Sequence, residues 1–208
     1  RNRLDFQFLG SSTKYPDLTA EEFTQPHDQF TDDALYLRYL YAGRKISAYA
    51  QYQDFGGNFR SDLGFIPQVG YKEFYSGAEY RWIRNDGWWN QIQIRGEFLG
   101  SEEENGTLLQ RISAFTFSVS GAYQSNLLAY VGQGTEHFAG TEYDQTEYYF
   151  RVFAQPAAGL TLNSNLSIGD AIDYTNNRLG SRINLYMSGA YRFGRHVNYV
   201  RISVTDRC

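Results

Sequence analysis

Asn90-Gln91-Ile92-Gln93-Ile94-Arg95-Gly96-Glu97-Phe98-Leu99-Gly100 is the stretch whose reading decides the fold. Ile92, Ile94, Gly96 and Phe98 share one parity, and Gln91, Gln93, Arg95 and Glu97 share the other. An extended chain points successive side chains to opposite faces, so a period of two makes this a strand with one oily and one wet face. Residues 181–193 repeat the pattern: Ile183, Leu185, Met187, Gly189, Tyr191 and Phe193 oppose Arg182, Asn184, Tyr186, Ser188, Ala190 and Arg192. So do Leu4, Phe6 and Phe8 against Arg3, Asp5 and Gln7, and Phe74, Ala78, Tyr80 and Trp82 against Tyr75, Glu79 and Arg81. Phe115, Phe117 and Val119 alternate with Thr116 and Ser118, and Tyr148, Phe150 and Val152 with Tyr149 and Arg151. In one strand Arg111 shares the parity of Phe115, which predicts either a place above the apolar band or a bulge between the two.

Working outward, about eleven such segments of roughly 9 to 13 residues fill the chain, the length with which a tilted strand crosses a bilayer. Ordinary globular strands are nearer 5 or 6 residues. The predicted fold is all-β: an antiparallel up-and-down transmembrane β-barrel with about 10–12 strands visible, as one domain over 1–208 or part of a larger barrel. The links support it by alternating in length. Short ones fall at Ala42-Gly43-Arg44-Lys45, Asn85-Asp86-Gly87, Gln124-Ser125-Asn126, Pro156-Ala157-Ala158-Gly159 and Gly194-Arg195-His196, long ones at 11–33, 54–71, 101–107, 137–146 and 169–180. The long links collect the acids and the short ones the bases Arg44, Lys45 and Arg195. Aromatics gather near strand ends, at Tyr39, Tyr41, Trp82, Trp88, Trp89, Tyr123, Tyr191 and Phe193, as a membrane-interface girdle would place them.

Composition excludes several classes. No apolar run approaches the roughly 18 to 20 residues of a membrane-spanning helix. With 18 Tyr, 15 Phe and 3 Trp the chain is not a disordered one. A single cysteine, Cys208, removes a disulfide framework and a cysteine-based zinc site. Nineteen Lys and Arg against 23 Asp and Glu leave no positive field for nucleic acid.

The stretch Asn58-Phe59-Arg60-Ser61-Asp62-Leu63-Gly64-Phe65-Ile66-Pro67-Gln68-Val69-Gly70-Tyr71-Lys72, followed by the strand at 73–82, resembles one bacterial family. Its members join an N-terminal domain like carbohydrate-binding-module family 9 to a C-terminal outer-membrane barrel. The resemblance covers 54–82, and Gln68 stands where the family pattern has Arg. It implies that this chain is the barrel portion, that a periplasmic domain precedes it, and that the barrel sits in the bacterial outer membrane against lipid and lipopolysaccharide. The start at Arg1 inside an alternating run, and the end at Cys208 rather than an aromatic, lead to an expectation of truncation at both ends.

Catalytic signals are sparse. His27 beside Asp28 and His137 beside Glu136 are the candidate acid-base pairs of a barrel-borne enzyme, and no nucleophile elbow, zinc-binding helix motif or phosphate loop is present. Glu102-Glu103-Glu104-Asn105-Gly106 offers carboxylates to a divalent cation but in no EF-hand spacing. No cofactor is expected. The wet face is the richer constellation: Arg38, Glu79, Arg81, Gln93, Arg95, Glu97, Arg151, Arg182 and Arg192, with Arg3, Asp5 and Gln91, form the expected lining of a lumen. In lipid such charges would cost roughly 2–4 kcal/mol each, whereas facing water or one another they cost little. Arginine outnumbers the acids in this set, which points to anionic or polyhydroxyl solutes, or to Arg-Glu ladders that stiffen the wall. The functional expectation is a passive conduit or a membrane anchor, with a small solute or oligosaccharide as cargo in carbohydrate-related uptake. The alternatives are an outer-membrane enzyme with a loop-borne His/acid site and a soluble all-β carbohydrate-binding module.

Overall fold

The period-two segments all become strands of one sheet. A computed structural model describes residues 1–22, 24–60 and 68–207, with Arg207 described by its backbone alone. Its elements in chain order are β1 (Asn2–Thr13), α1 (Asp17–Glu22), β2 (Phe30–Ala42), β3 (Ile46–Phe55), β4 (Tyr71–Ile83) and β5 (Trp89–Glu103). There follow β6 (Leu108–Gly121), β7 (Asn126–Phe138), β8 (Thr141–Ala157), β9 (Leu160–Asp173), β10 (Arg178–Phe193) and β11 (His196–Arg207). Each strand pairs antiparallel with its neighbours in sequence, so the eleven strands form one up-and-down sheet in the order β1 to β11. The sheet is open: β1 and β11 are its edges and are not paired to each other. Among the described residues helix is confined to the six residues of α1, and none is long and apolar enough to cross a membrane.

The five short links form as their sequence asks. Gly87, Gly159 and Gly194 take positive φ in three of them, the backbone conformation such turns require. Pro156 lies at the register shift between Ala154 and Ala157, where the ladder does not need the N–H that proline lacks.

Three of the five expected long links are corrected. Strand β7 runs to Phe138 and β8 begins at Thr141, so 137–146 is a hairpin closed by Ala139 (φ 48°) and Gly140 (φ 81°), the positive-φ pair of a tight hairpin turn. The 101–107 and 169–180 links shrink to 104–107 and 174–177. The reason is physical. Above the apolar band of β7 and β8 the face that is apolar below turns polar, so the alternation vanishes while backbone pairing continues, as in Thr135↔Asp144 and His137↔Glu142. Strands β8 and β10 reach 17 and 16 residues in this way, longer than expected. Only the β1–β2 and β3–β4 connections remain long. Arg111 pairs with Gly100 in unbroken register with Phe115↔Gly96, so it sits beyond the band and no bulge separates it from Phe115. The strand expected at 73–82 lies within β4, while Ser61 to Pro67 of the family-like stretch fall outside the described residues.

Register sorts the faces across the whole sheet. Leu4, Leu37, Tyr52, Phe74, Phe98, Phe115, Val131, Tyr148, Ile168, Ile183 and Ile202 fall on one face, and the predicted wet set falls on the other. Exposure is inverted relative to a protein folded around an oily centre. Leu4 and Phe6 are 67% and 68% exposed, while Arg38, Glu79 and Arg95 on the polar face are half-buried. Side chains on the polar face reach past a neighbouring strand to the next, as the concave side of a curved sheet allows: Tyr49 of β3 donates to Glu97 of β5 across β4 at 2.7 Å. Among the described residues the buried apolar side chains are only Ala20, Ala34, Phe59, Tyr143 and Ile172. The accessible surface is 14128 Å² for 24.0 kDa, against roughly 10,000 Å² for a compact protein of that mass. The excess is the second face of a single-layer sheet.

Candidate functional site on the polar face

Two adjacent rows of register partners cross the polar face at mid-height. One runs Ser47, Glu79, Arg95, Thr116, Tyr130, Tyr149, Ser167, Asn184 from β3 to β10. The other runs Tyr49, Gly77, Glu97, Ala114, Gly132, Glu147, Gly169, Arg182. The second alternates long polar side chains with Gly or Ala. That leaves room for side chains to lie flat against the wall.

On β3–β5 the predicted lining residues converge on two carboxylates. Glu79 accepts from Ser47 Oγ at 2.6 Å and from Gln93 Nε2 at 2.7 Å, with Arg81 Nε at 3.2 Å and Arg95 Nε at 3.4 Å. The Arg81 Nε contact is an ion pair without hydrogen-bond alignment, and Arg81 Nη2 donates instead to the Gly43 carbonyl at 3.3 Å. Glu97 accepts from Tyr49 at 2.7 Å and Tyr75 at 2.9 Å, and Arg95 Nη1 lies 3.8 Å away. The rings of Tyr49 and Tyr75 meet at 5.0 Å. Arg95 thus bridges two carboxylates, and charge-assisted hydrogen bonds hold the cluster in one geometry. A β-carbon on Gly77 would collide with the Tyr49 ring, so glycine lets that ring cross β4.

On β7–β10 the same devices are sparser. Glu147 accepts from Ser167 Oγ at 2.9 Å and from Arg182 Nη2 at 3.1 Å, and Arg151 Nη2 donates to Asn126 at 3.1 Å. Arg38 and Arg192 are not brought into either group. Arg38 lies opposite Asp5 in register, and neither guanidinium has a hydrogen-bonded or ion-pair partner among the described residues. Glu73, Glu136 and Glu147 also lie on this face, by the parity of β4, β7 and β8. The arginine excess read from sequence is therefore corrected towards balance.

At the end of the sheet bearing the two long connections, residues 57–60 pack over the polar face beside Ser11, Asp32 and Phe55. Arg60 is the hub. Its Nη1 donates to the carbonyls of Gly57 and Phe59, its Nη2 to Gln25 at 3.1 Å, and its guanidinium lies 5.4 Å from the Phe30 ring centre. Its backbone N–H donates to Ser11 Oγ at 3.0 Å. Asp32 accepts from Asn58 N at 2.8 Å, Glu104 accepts from Gly57 N at 2.7 Å, and Phe59 is only 3% exposed beside Phe55. None of this was legible from the period-two pattern, which ends where the cap begins.

The acid-base candidates do not assemble as read. Glu136 and His137 are consecutive strand residues and point to opposite faces. Glu136 faces Tyr174, whose phenol donates to it at 2.9 Å and is held above its ordinary value by that bond and by burial, while His137 lies opposite Glu142. His27 approaches Asp17, at 3.7 Å, with both exposed. In the acidic tip Asn105 donates to Glu103 at 3.0 Å and Glu104 serves Gly57, and no group of three or more potential ligands forms a metal site among the described residues.

Aromatic residues do collect at the short-turn end. Tyr39, Tyr41, Trp82, Tyr123, Tyr191 and Phe193 are all exposed there, and the rings of Tyr80 and Trp82 lie 4.5 Å apart. No family model, curated protein or solved structure matches the chain.

Proposed function

We propose that the chain forms the wall of a transmembrane β-barrel in the bacterial outer membrane, and that it acts as a passive conduit or as the anchor of a ligand-binding domain. The observation that carries this reading is the inverted exposure of the sheet: the large apolar side chains form its more exposed face and the charged ones its more enclosed face. In water such a sheet leaves apolar surface uncovered at about 25 cal/mol per Å², whereas hydrocarbon covers it at no such cost. A soluble carbohydrate-binding module would instead need those side chains inside a core. The exposed aromatics at the short-turn end support an interfacial girdle.

Closure follows from strand direction. With eleven antiparallel strands, β1 and β11 run the same way, so a fully antiparallel barrel needs an odd number of further strands between them. Those strands come from outside the eleven. The resemblance to the family with a sugar-binding N-terminal domain makes carbohydrate-related uptake the cargo reading, with lipid and lipopolysaccharide as the outer partners.

Phe117→Arg tests the proposal. Phe117 lies mid-strand on the apolar face between Ile94 and Ala129. In bilayers the substitution is expected to destabilise by about 2–4 kcal/mol, measured by reversible denaturant unfolding from vesicles. Thr116→Arg, one residue away on the wet face, should cost far less. Equal, small effects at both positions, or a wild-type chain that stays dispersed without detergent, would overturn the membrane reading.

A further inference from the structure

The polar face holds a hollow that the charge networks do not fill. It lies over β5–β8 at mid-height, with a volume of about 520 Å³, and Tyr130 and Glu147 also line a second hollow of about 220 Å³ towards the acidic end. The two meet at these residues and make one trough, whose mid-height part lies over β5–β8. Tyr130 leans along its own strand, so that a β-carbon on Gly132 would collide with its Oη and ring. The hydroxyl end of the ring therefore occupies the space that a side chain at 132 would take, and Tyr130 lines both hollows. Tyr149 stands directly opposite Tyr130 in register. Tyr49 lies over Gly77 in the same manner, but its hydroxyl is tied to Glu97 and its ring packs on Tyr75. The Tyr130 hydroxyl has no partner among the described residues.

The cations around the trough are already neutralised or engaged: Arg95 by Glu79 and Glu97, Arg182 by Glu147, and Arg151 by Asn126. An anion would have to displace these partners. A polyhydroxyl ligand would not, because a flat ring accepts the C–H face of a pyranose while fixed amides, carboxylates and guanidinia exchange hydrogen bonds with its hydroxyls. A trough walled by Thr116, Ser118, Asn126 and Glu147 around two tyrosines offers that combination.

We infer that the β5–β8 trough is an oligosaccharide subsite with the Tyr130 ring as its stacking platform. This rests on the reading above in that the polar face must be the wet one, and it goes further in assigning the ligand class and the residue. Tyr130 and its neighbours are the binding groups; no bond is made or broken.

The test uses the closed barrel that contains this chain and its completing strands, in detergent micelles, titrated with maltohexaose, cellohexaose and chitohexaose, with pyrophosphate as the anionic probe. Binding is read by saturation-transfer NMR and calorimetry. At least one hexasaccharide is expected to bind. Tyr130→Ala and the bulkier Tyr130→Leu should each weaken it about tenfold, Tyr130→Phe should change it less than about twofold, and Tyr186→Ala on β10 should leave it unchanged. Heat-modifiable migration confirms that each variant is folded, and the Leu variant carries the test if the Ala variant is not. Absence of binding by all three sugars, binding indifferent to both variants, or preferential binding of pyrophosphate overturns the proposal. Labelling of a cysteine at Phe150 by a lipid-phase reagent reports insertion separately. Insertion without sugar binding would remove the subsite and leave the conduit reading standing, and exclusion of the label from Phe150 would remove the conduit reading whatever the titration gave.

Discussion

The polar faces of β2–β5 and β6–β9 are built from one alternation yet are used differently. In the first, Glu79 and Glu97 draw in Ser47, Tyr49, Tyr75, Gln93 and Arg95, and residues 57–60 close over one end through Arg60. In the second, a hollow remains among Thr116, Ser118, Asn126 and Tyr130, and Glu147 gathers only Ser167 and Arg182. The difference teaches that a period of two assigns a face but does not say whether that face is filled. Filling depends on which side chains become register partners, and on where glycine permits a ring to lie across a neighbouring strand.

The largest effect expected from breaking this contrast comes at Glu79. Its side chain is 18% exposed and faces two arginines. Glu79→Gln should destabilise by about 1–3 kcal/mol in denaturant unfolding, because the amide still accepts from Ser47 or Gln93 while Arg81 loses its counter-charge. The matching Glu147→Gln should cost under about 1 kcal/mol, since that side chain is 40% exposed and solvent screens its pair with Arg182. Equal losses would mean that the two regions are not organised differently.

A smaller and local effect is expected at the cap. Arg60→Ala removes the donors to Gly57, Phe59 and Gln25 and the contact with Phe30, and should loosen residues 57–60 by about 1 kcal/mol. Amide exchange should quicken there and not in β6–β9, and uniform quickening would show that the cap is not a separate unit.

The smallest effect lies in the β9–β10 turn. Asp173 accepts from the Asn176 side chain at 2.6 Å, and that bond, followed by those from Arg178 and the Asn176 backbone, holds its carboxyl below the ordinary value of 3.8. A depressed carboxylate contributes above its unfolded value and loses that contribution as pH falls through the folded one. The turn should therefore keep its NMR signature at pH 5 and lose it only below about pH 4. Asp173→Asn should flatten the titration with no measurable change elsewhere.

How far the sequence was legible differs between the same regions. Along β5 and β10 the parity of Ile92, Ile94 and Phe98, or of Ile183, Leu185 and Met187, names every facing residue before register is known. Beyond the apolar band it fails, because Thr135, His137, Glu142 and Asp144 put polar side chains on the parity that is apolar below and yet pair as strand. The candidate lining divided in a similar way. Glu79, Arg81, Gln93, Arg95 and Glu97 come together because β4 and β5 are adjacent, whereas Arg38 and Arg192 stand apart. Tyr49, Tyr75, Tyr130 and Glu147 were not singled out, although their parity with polar neighbours was the available signal.

Alternation by itself indicated about 10–12 strands and sorted oily from wet side chains, because a pleated backbone leaves each residue only two directions, and the short links between them indicated the up-and-down order. Tertiary structure alone decided which wet side chains touch, where the sheet outruns its apolar band, how the cap locks onto Arg60 and where a hollow remains. Those outcomes depend on residues distant in the chain meeting across strands, and a one-dimensional period carries no information about such meetings.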